Sequence, residues 1–288
     1  MPDQNVIALI FDCDDTLCND TTTFLLQELS IDPKKFWLSV DLMVRKGWDP
    51  PLACMRKLLR MNRSSKINLN NAVLRKTGSR LSFFPGIPDL FDELRKFVGA
   101  IQEIHGAHIE IEFYVVSSGF EELIKASEIA TYVDDIFGCT FEVDKTGSLL
   151  FPKSIITFTE KTKFIFAINK GISGELLRKS PYEVNNCIPE ADRRIPFANM
   201  LYVGDGPSDI PCFSLLMKNG GYGIGVYGKK TVSKAWQLAK GRRMTVGPYP
   251  RDYSRGEPLR TMIEKTIKEI AQKIVENQKR KANLAPRY

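Results

Sequence analysis

The chain has 288 residues, of which 43% are apolar and 26% are charged, a composition typical of a water-soluble globular protein large enough for a core and a smaller second unit. No apolar run approaches the roughly 18 residues of a membrane span, and no basic signal segment opens the chain, so we expect a cytoplasmic protein without a membrane partner. The net charge of +7 favours anionic ligands such as phosphate esters, but no nucleic-acid-binding motif accompanies it, and a nucleic-acid partner is not expected.

The first predicted element is a buried strand, Val6–Phe11, followed at once by Asp12-Cys13-Asp14-Asp15-Thr16. Side chains two residues apart lie on the same side of an extended segment, so Asp12 and Asp14 can face one site at the carboxyl end of the strand. Carboxylates this close repel one another unless a cation intervenes, and oxygen ligands favour Mg²⁺. The alternative interpretation is an acidic turn with capping roles only.

The next stretch, residues 19–81, is too long for one crossover and predicts a small helical unit inserted into a sheet domain of residues 1–18 and 82–288. Asp32-Pro33 and Asp49-Pro50 each combine an N-cap residue with proline at the first helical position. A third helix is predicted from near Asn68 to a stop at Gly78.

After the insert, apolar strand segments alternate with helical patterns, and the fold class predicted is α/β, with a Rossmann-like three-layer parallel sheet core and an inserted small helical cap domain. The predicted strands are Ile109–Val116, Ile136–Val143, Met200–Val203 and Tyr222–Val226, and the predicted helices are Asp89–Phe97, Glu121–Ala130, Lys161–Asn169 and Asp209–Met217. Residues 171–198 predict an extended loop or a small insertion before the fourth strand. Pro258–Glu276 predicts an amphipathic helix, with a frayed tail from Lys279 onward.

Two further motifs lie between the second and fourth predicted strands. Ser117-Ser118-Gly119 ends a strand, where hydroxyls and backbone N–H groups can hold phosphate oxygens, although the same residues are common in turns. Lys161 near a helix start, or its competitor Lys163, can neutralise charge at a transferring phosphoryl group, whereas a solvated lysine is the plainer interpretation.

The last motif, Gly204-Asp205-Gly206-Pro207-Ser208-Asp209, follows the fourth predicted strand. Asp205 can complete a metal site, and Asp209 can orient it from behind the ligands. A tight turn that ends in an N-cap is the alternative.

Four features follow one another along the chain: D-x-D-x-T, a strand-terminal serine, a lysine and G-D-G-x-S-D. Motifs in this order resemble those of the haloacid dehalogenase superfamily. Phe11–Asn19, Val116–Phe120 and Phe84–Ile87 resemble its phosphoserine phosphatase branch, which carries a helical cap. Thr21 stands where that branch has a glutamate for the amino group of its substrate, which argues against phosphoserine.

The resemblance implies that Asp12 attacks phosphorus and forms an aspartyl-phosphate, and that Asp14 protonates the leaving oxygen and then activates water. The resemblance also implies that the phosphoryl oxygens are bound by Lys161, Thr16, Ser117, Ser118 and Gly119. It further implies that Mg²⁺ is bound by Asp12, Asp14 and Asp205, with Asp209 supporting the metal site.

We therefore expect a Mg²⁺-dependent phosphatase that acts on a small phosphorylated metabolite. An aspartate at position 14 favours phosphoester chemistry over the cleavage of carbon–halogen bonds. The alternatives are a phosphotransferase or phosphomutase of the same superfamily, and a non-catalytic, nucleic-acid-associated module that uses the basic C-terminal region. Nothing in the sequence predicts an oligomeric state.

Overall fold

One seven-stranded sheet runs through the computed structural model, which describes residues 4–228, 231–241 and 244–284. The strands are β1 Val6–Phe11, β2 Glu110–Phe120, β3 Asp135–Val143, β4 Leu149–Ser154, β5 Met200–Gly204, β6 Tyr222–Tyr227 and β7 Val246–Pro250. Their spatial order is β4-β3-β2-β1-β5-β6-β7, and only the β3–β4 pair is antiparallel. The predicted α/β fold with a parallel sheet is confirmed, and the two strands that were not predicted, β4 and β7, form its edges.

Strand β1 is central, and register fixes the place of the site. Phe11 lies opposite Val115 of β2 on one side and Val203 of β5 on the other. The residues that follow Phe11, Val115 and Val203 therefore lie close together at the carboxyl ends of these three strands, where ligands bind in parallel α/β folds.

Four helices occupy the insert: α1 Thr21–Glu28, α2 Pro33–Val44, α3 Pro50–Arg63 and α4 Asn71–Gly78. The predicted start signals of α2 and α3 are present, because the carboxylates of Asp32 and Asp49 accept backbone N–H groups of their own first turns. Helix α1 was not predicted. Gly78 is the last residue of α4 rather than a stop beyond it, and a Cβ there would collide with the carbonyl oxygen of Leu123.

The remaining helices cover both faces of the sheet: α5 Asp89–His105, α6 Glu121–Lys125, α7 Lys161–Lys170, α8 Gly174–Lys179, α9 Ile210–Lys218, α10 Val232–Lys240 and α11 Pro258–Leu284. Helices α5 and α11 pack on the face that carries Ile7, Leu9 and Phe11. Helices α7 and α9 and the insert pack on the opposite face, with Ala8 and Ile10. Covering on both faces explains why β1 is a continuous apolar run.

Several predicted boundaries were wrong. The helix predicted over Glu121–Ala130 ends at Lys125, and a separate 3-10 turn covers Glu128–Thr131. The stretch 171–198, predicted as an extended loop or a small insertion, contains α8 and short 3-10 turns, and Lys170 Nζ donates to two of its carbonyl oxygens. Helix α11 continues to Leu284, past the predicted start of fraying at Lys279, and the rest of the predicted tail lies outside the described residues. None of the described helices is both long and apolar enough to cross a membrane.

Candidate active site

The site is built around Asp12, the first residue after β1. Its backbone N–H donates to the carbonyl oxygen of Val203 at 2.9 Å, which continues the pairing of β1 with β5 and fixes the direction of the side chain. The Asp12 residue is 4% exposed. Its Oδ1 accepts the N–H of Cys13 at 2.8 Å and lies 2.9 Å from Lys161 Nζ.

Lys161, the first residue of α7, is buried between two carboxylates. Its Nζ contacts Asp12 Oδ1 and donates to Asp209 Oδ1 at 2.8 Å. Burial alone would lower the pKa of Lys161, but the two neighbouring carboxylates raise it above its usual value, so the side chain stays cationic. Lys163, the competing candidate, instead pairs with Glu160 outside this cluster.

Asp209 is held on all sides by donors. Its Oδ1 accepts from Lys161 and from the phenol of Tyr202, each at 2.8 Å, and its Oδ2 accepts the backbone N–H groups of Asp205 and Gly206, each at 3.1 Å. The side chain therefore fixes the turn that carries Asp205 and does not cap its own helix.

Asp205 is the carboxylate that remains free. Among the described residues its side chain has no hydrogen bond or ion pair, and burial, with Asp12 and Asp209 nearby, raises its pKa to about 8. Burial likewise raises the pKa of Asp12 to about 7, although Lys161 opposes the shift. Carboxylate oxygens of Asp12, Asp205 and Asp209 lie within 4.8 Å of one another. Because the two oxygens of Asp209 already accept four hydrogen bonds, Asp205, beside the carboxylate of Asp12, is the side chain that best fits a hard divalent cation.

Asp14 points to the start of the insert. Its Oδ1 accepts the backbone N–H of Thr21, the first residue of α1, at 2.7 Å. Burial raises the pKa of Asp14 to about 8, and the charge of Asp20 adds to this shift. The carboxyl group therefore holds its proton more strongly than an ordinary aspartate does, a property that suits a general acid.

Four residues predicted to bind phosphate lie in the loop after β1 and in the last residues of β2. The hydroxyl oxygens of Thr16 and Ser118 are buried without a hydrogen-bond partner among the described residues. Ser117 is also buried, but its Oγ accepts the N–H of Gly119 at 2.9 Å. A Cβ on Gly119 would approach Asp14 Oδ2 to 2.9 Å, so glycine is needed for the close packing of the two segments.

A cavity of about 360 Å³ opens over these groups between the sheet and the insert. Of the predicted side chains, it brings together Asp12, Asp14, Ser118, Lys161 and Asp205, whereas Thr16, Ser117, Gly119 and Asp209 are not among its lining residues. Lining residues that were not predicted include Asp20, Trp37, Asp41 and Phe158. Trp37, Val40, Asp41 and Val44 have the spacing of one helical face, a signal that the sequence did contain.

Two side chains of the segment after β7 donate hydrogen bonds to the loop that carries Asp12 and Asp14. Asp15 adopts a left-handed backbone conformation, with φ of 57°, and Arg251 Nη1 donates to both its carbonyl oxygen and its carboxylate. Tyr253 Oη donates to the carbonyl oxygen of Thr16 at 2.9 Å. These contacts join positions far apart in sequence, and sequence reasoning did not predict them.

Comparison with known proteins gives a relative by sequence and several by structure. A scan against protein-family models gives no match. An uncharacterized protein of Borreliella burgdorferi is 31% identical over 236 residues, which cover 74% of this chain and 79% of that protein.

Among solved structures, a phosphoserine phosphatase in its apo form has a TM-score of 0.52 at 17% identity, over 90% of this chain and 98% of that one. A probable phosphoserine phosphatase from Vibrio cholerae has a TM-score of 0.53 at 15% identity, over 94% of this chain and 68% of that one. A HAD family hydrolase from Salmonella enterica serovar Typhi has a TM-score of 0.51 at 16% identity, and the match spans 80% of this chain and 65% of that one. The chain therefore belongs to the same family as the Borreliella burgdorferi protein, and its fold is similar to those of the phosphoserine phosphatases and of the HAD family hydrolase.

Proposed function

We propose that the protein is a Mg²⁺-dependent phosphatase that hydrolyses a small phosphomonoester through an aspartyl-phosphate on Asp12. The observation that carries this proposal is the buried contact of Asp12 with Lys161, beside the free carboxylate of Asp205. A carboxylate nucleophile must approach an anionic phosphate, and this arrangement places positive charge beside it. The hydrolase and phosphatase names of the structural neighbours agree with the proposal.

In the first half-reaction, the free Oδ2 of Asp12 attacks phosphorus, because Oδ1 is engaged by Cys13 and Lys161. Lys161 neutralises charge on the phosphoryl oxygens, and the Ser118 hydroxyl donates to one of them. Protonated Asp14 gives its proton to the leaving alcohol oxygen as the ester bond breaks. Mg²⁺, held by Asp12 and Asp205 with the carbonyl oxygen of Asp14, would supply charge that offsets the repulsion between nucleophile and phosphate.

In the second half-reaction, Asp14 is deprotonated and accepts a proton from water, which attacks the phosphorus of the aspartyl-phosphate and releases inorganic phosphate. Asp12 and protonated Asp14 are thereby restored. We further propose that residues 19–81 act as a cap domain on the core of residues 1–18 and 82–288. The cap would exclude bulk water from the acyl phosphate and contact the leaving group.

The test is hydrolysis of p-nitrophenyl phosphate with Mg²⁺ by the wild type and by Asp12→Asn, with Asp192→Asn as a matched control at an exposed aspartate. We expect Asp12→Asn to lose hydrolysis and Asp192→Asn to retain it. Acid quenching of the wild type during turnover of a ³²P-labelled ester should trap a protein-bound, hydroxylamine-sensitive phosphate. Equal hydrolysis by the wild type and Asp12→Asn would contradict the proposal.

A further inference from the structure

The insert presents one face of α2 to the cavity. Trp37, Val40, Asp41 and Val44 line it, whereas Leu38 and Leu42 of the same helix are 62% and 52% exposed. Because α2 contacts the cavity through one regular face, its side chains form a fixed wall over the reacting groups. In the proposed phosphatase, this wall is in position to contact the leaving group.

The charge of the cavity is strongly one-sided. Six carboxylates line it, from Asp12, Asp14, Asp15, Asp20, Asp41 and Asp205, against a single cationic side chain among the described lining residues, Lys161. Lys161 is already engaged by Asp12 and Asp209. A bound Mg²⁺ would balance only the phosphate dianion of the substrate, so an excess of negative charge would remain around the leaving group.

Two of these acids, Asp20 and Asp41, belong to the insert rather than to the loops after β1 and β5 that carry Asp12, Asp14 and Asp205. Asp41 has no hydrogen bond or ion pair among the described residues, and Asp20 is engaged only as the N-cap of α1. Asp15, by contrast, is neutralised by Arg251. Asp41 and Asp20 are therefore the acids that remain to meet a positive charge on a ligand.

The indole of Trp37 is also held in place. Its Nε1 donates to Thr23 Oγ1 at 2.9 Å, and its ring borders the cavity together with Val40, Val44 and Phe158. An aromatic and aliphatic wall beside carboxylates is the chemistry that receives ammonium groups, including methylated ones, through cation–π and ionic contacts.

We propose that the substrate is the phosphate ester of a small amino alcohol, whose leaving group carries an ammonium or quaternary ammonium charge and no carboxylate or second phosphate. This inference rests on the proposed phosphatase function and specifies its substrate class. Asp41 and Asp20 attract the cation, and Trp37 packs against it. Among the described lining residues the one cationic side chain, Lys161, is already engaged by Asp12 and Asp209, so an anionic substituent on the leaving group has no unpaired cation to meet it.

The test compares kcat/KM, with Mg²⁺, for phosphoethanolamine, phosphocholine, phosphoserine, glycerol 3-phosphate and p-nitrophenyl phosphate. We expect at least one of the two cationic esters to exceed both glycerol 3-phosphate and phosphoserine on the order of tenfold, as one favourable charge contact predicts. The better of the two shows whether the cavity takes a primary or a quaternary ammonium. If glycerol 3-phosphate or phosphoserine equals the cationic esters while p-nitrophenyl phosphate is hydrolysed, the substrate proposal fails alone. If no ester is hydrolysed, the phosphatase proposal fails as well.

Substitutions at Asp41 test the source of the preference. Because Asp41 is exposed and its charge is partly screened, Asp41→Asn should lower the ratio of kcat/KM for the cationic ester to that for glycerol 3-phosphate by about twofold to fivefold, and Asp41→Lys should shift preference toward phosphoserine. Asp192→Asn, which removes an exposed charge elsewhere, should leave the ratio unchanged. A ratio that is unaffected by both substitutions at Asp41 would overturn the assignment.

Discussion

The phenol of Tyr202 donates a 2.8 Å hydrogen bond to Asp209 Oδ1, the same oxygen that receives Lys161. Tyr202 and Asp209 are both fully buried. Since Asp209 also holds the backbone of the turn that carries Asp205, Tyr202 is a positioning residue that acts on Lys161 and Asp205 through one carboxylate.

We predict that Tyr202→Phe lowers the free energy of unfolding by about 1.5–3 kcal/mol, because a hydrogen bond to a charged group is lost with little change in volume. The measurement is urea unfolding. We also expect a higher Mg²⁺ concentration for half-maximal activity, which a purely structural role would not change. Tyr182→Phe, at a residue that is 82% exposed, is the control. Equal unfolding midpoints for the two variants would contradict the prediction.

Lys161→Met should reduce kcat by at least about a hundredfold, because positive charge beside the nucleophile is lost. It should also destabilise the protein by about 3–5 kcal/mol, since it leaves Asp12 and Asp209 buried without their cation. Steady-state kinetics and urea unfolding test both effects. Lys161→Arg keeps the positive charge, so it shows whether the loss of activity in Lys161→Met comes from the missing charge or from a failure to fold.

Lys163→Met is the matched control for Lys161→Met. The ion pair of Lys163 with Glu160 is partly exposed, so its loss should cost less than about 1 kcal/mol and leave kcat nearly unchanged. A similar loss of activity in both methionine variants would mean that the choice of Lys161 over Lys163 is wrong.

The sequence predicted the core of the fold well, because its strongest signals are local. Strands β1 and β5 are continuous apolar runs, β2 is apolar from Phe113 to Val116, and each run leads into a polar motif, so their adjacency in a parallel sheet brings those motifs together. The start signals of α2 and α3 are equally local, since each depends on an aspartate followed by proline.

The elements that were not predicted have weak or misleading local patterns. Strand β4 contains Pro152, and β7 contains Pro248 and Pro250, which argue against central strands; both are edge strands, where proline is tolerated. Helix α1 is only eight residues long, and its apolar side chains are adjacent rather than periodic.

The contacts of the site that were not predicted join different elements of the fold. Arg251 contacts Asp15 across 236 positions of sequence, and the bond from Tyr202 to Asp209 depends on how β5 meets the following turn. Neither contact has a local pattern. Such contacts depend on how separate parts of the chain pack in the folded protein, and a single sequence does not reveal that packing.

Activity should fall in alkaline solution because the general acid loses its proton. Burial raises the pKa of Asp14 to about 8, and a bound Mg²⁺ would lower this pKa. The protonated form of Asp14 is therefore lost as the pH rises to about 8, or at a lower pH when Mg²⁺ is bound. We expect kcat/KM for an alkyl ester such as glycerol 3-phosphate to decline there, whereas p-nitrophenyl phosphate, whose leaving group needs no proton, should decline less. Parallel pH profiles for the two esters would contradict this role.

Mg²⁺ should stabilise the protein more at pH 8 than at pH 6. Burial raises the pKa values of Asp12 and Asp205 from 3.8 to about 7 and about 8. The metal-free folded state thus binds protons more tightly than the unfolded chain and loses stability as pH rises from about 4 to about 8. The metal binds the deprotonated carboxylates, and at a hundred times its Kd it contributes about 2.7 kcal/mol.

Thermal unfolding with and without Mg²⁺ at the two pH values tests this dependence. The increase in Tm should be larger at pH 8 and should nearly vanish in Asp205→Asn, but persist in Asp192→Asn. An increase that is the same at both pH values, or unchanged in Asp205→Asn, would remove Asp205 from the metal ligands.

Arg251→Met should loosen the loop between Asp12 and Cys18. Arg251 donates to the backbone and side chain of Asp15 while its guanidinium lies 4.2 Å from the ring centre of Phe84, and this contact holds Asp15 in its left-handed conformation. Because small displacements of reacting groups lower rates steeply, we expect kcat to fall by about tenfold. The pair is partly exposed, so stability should change by only about 1 kcal/mol.

Arg255→Met is the control, since Arg255 is 77% exposed and pairs with Glu93 away from the loop. Its kcat should equal that of the wild type. A double-mutant cycle of Arg251→Met with Asp15→Asn then isolates the contact, because asparagine tolerates the left-handed conformation but removes the charge. If the contact acts on the loop, the second substitution should add little to the first. Fully additive losses of kcat would mean that Arg251 affects catalysis by another route, such as its packing against Phe84.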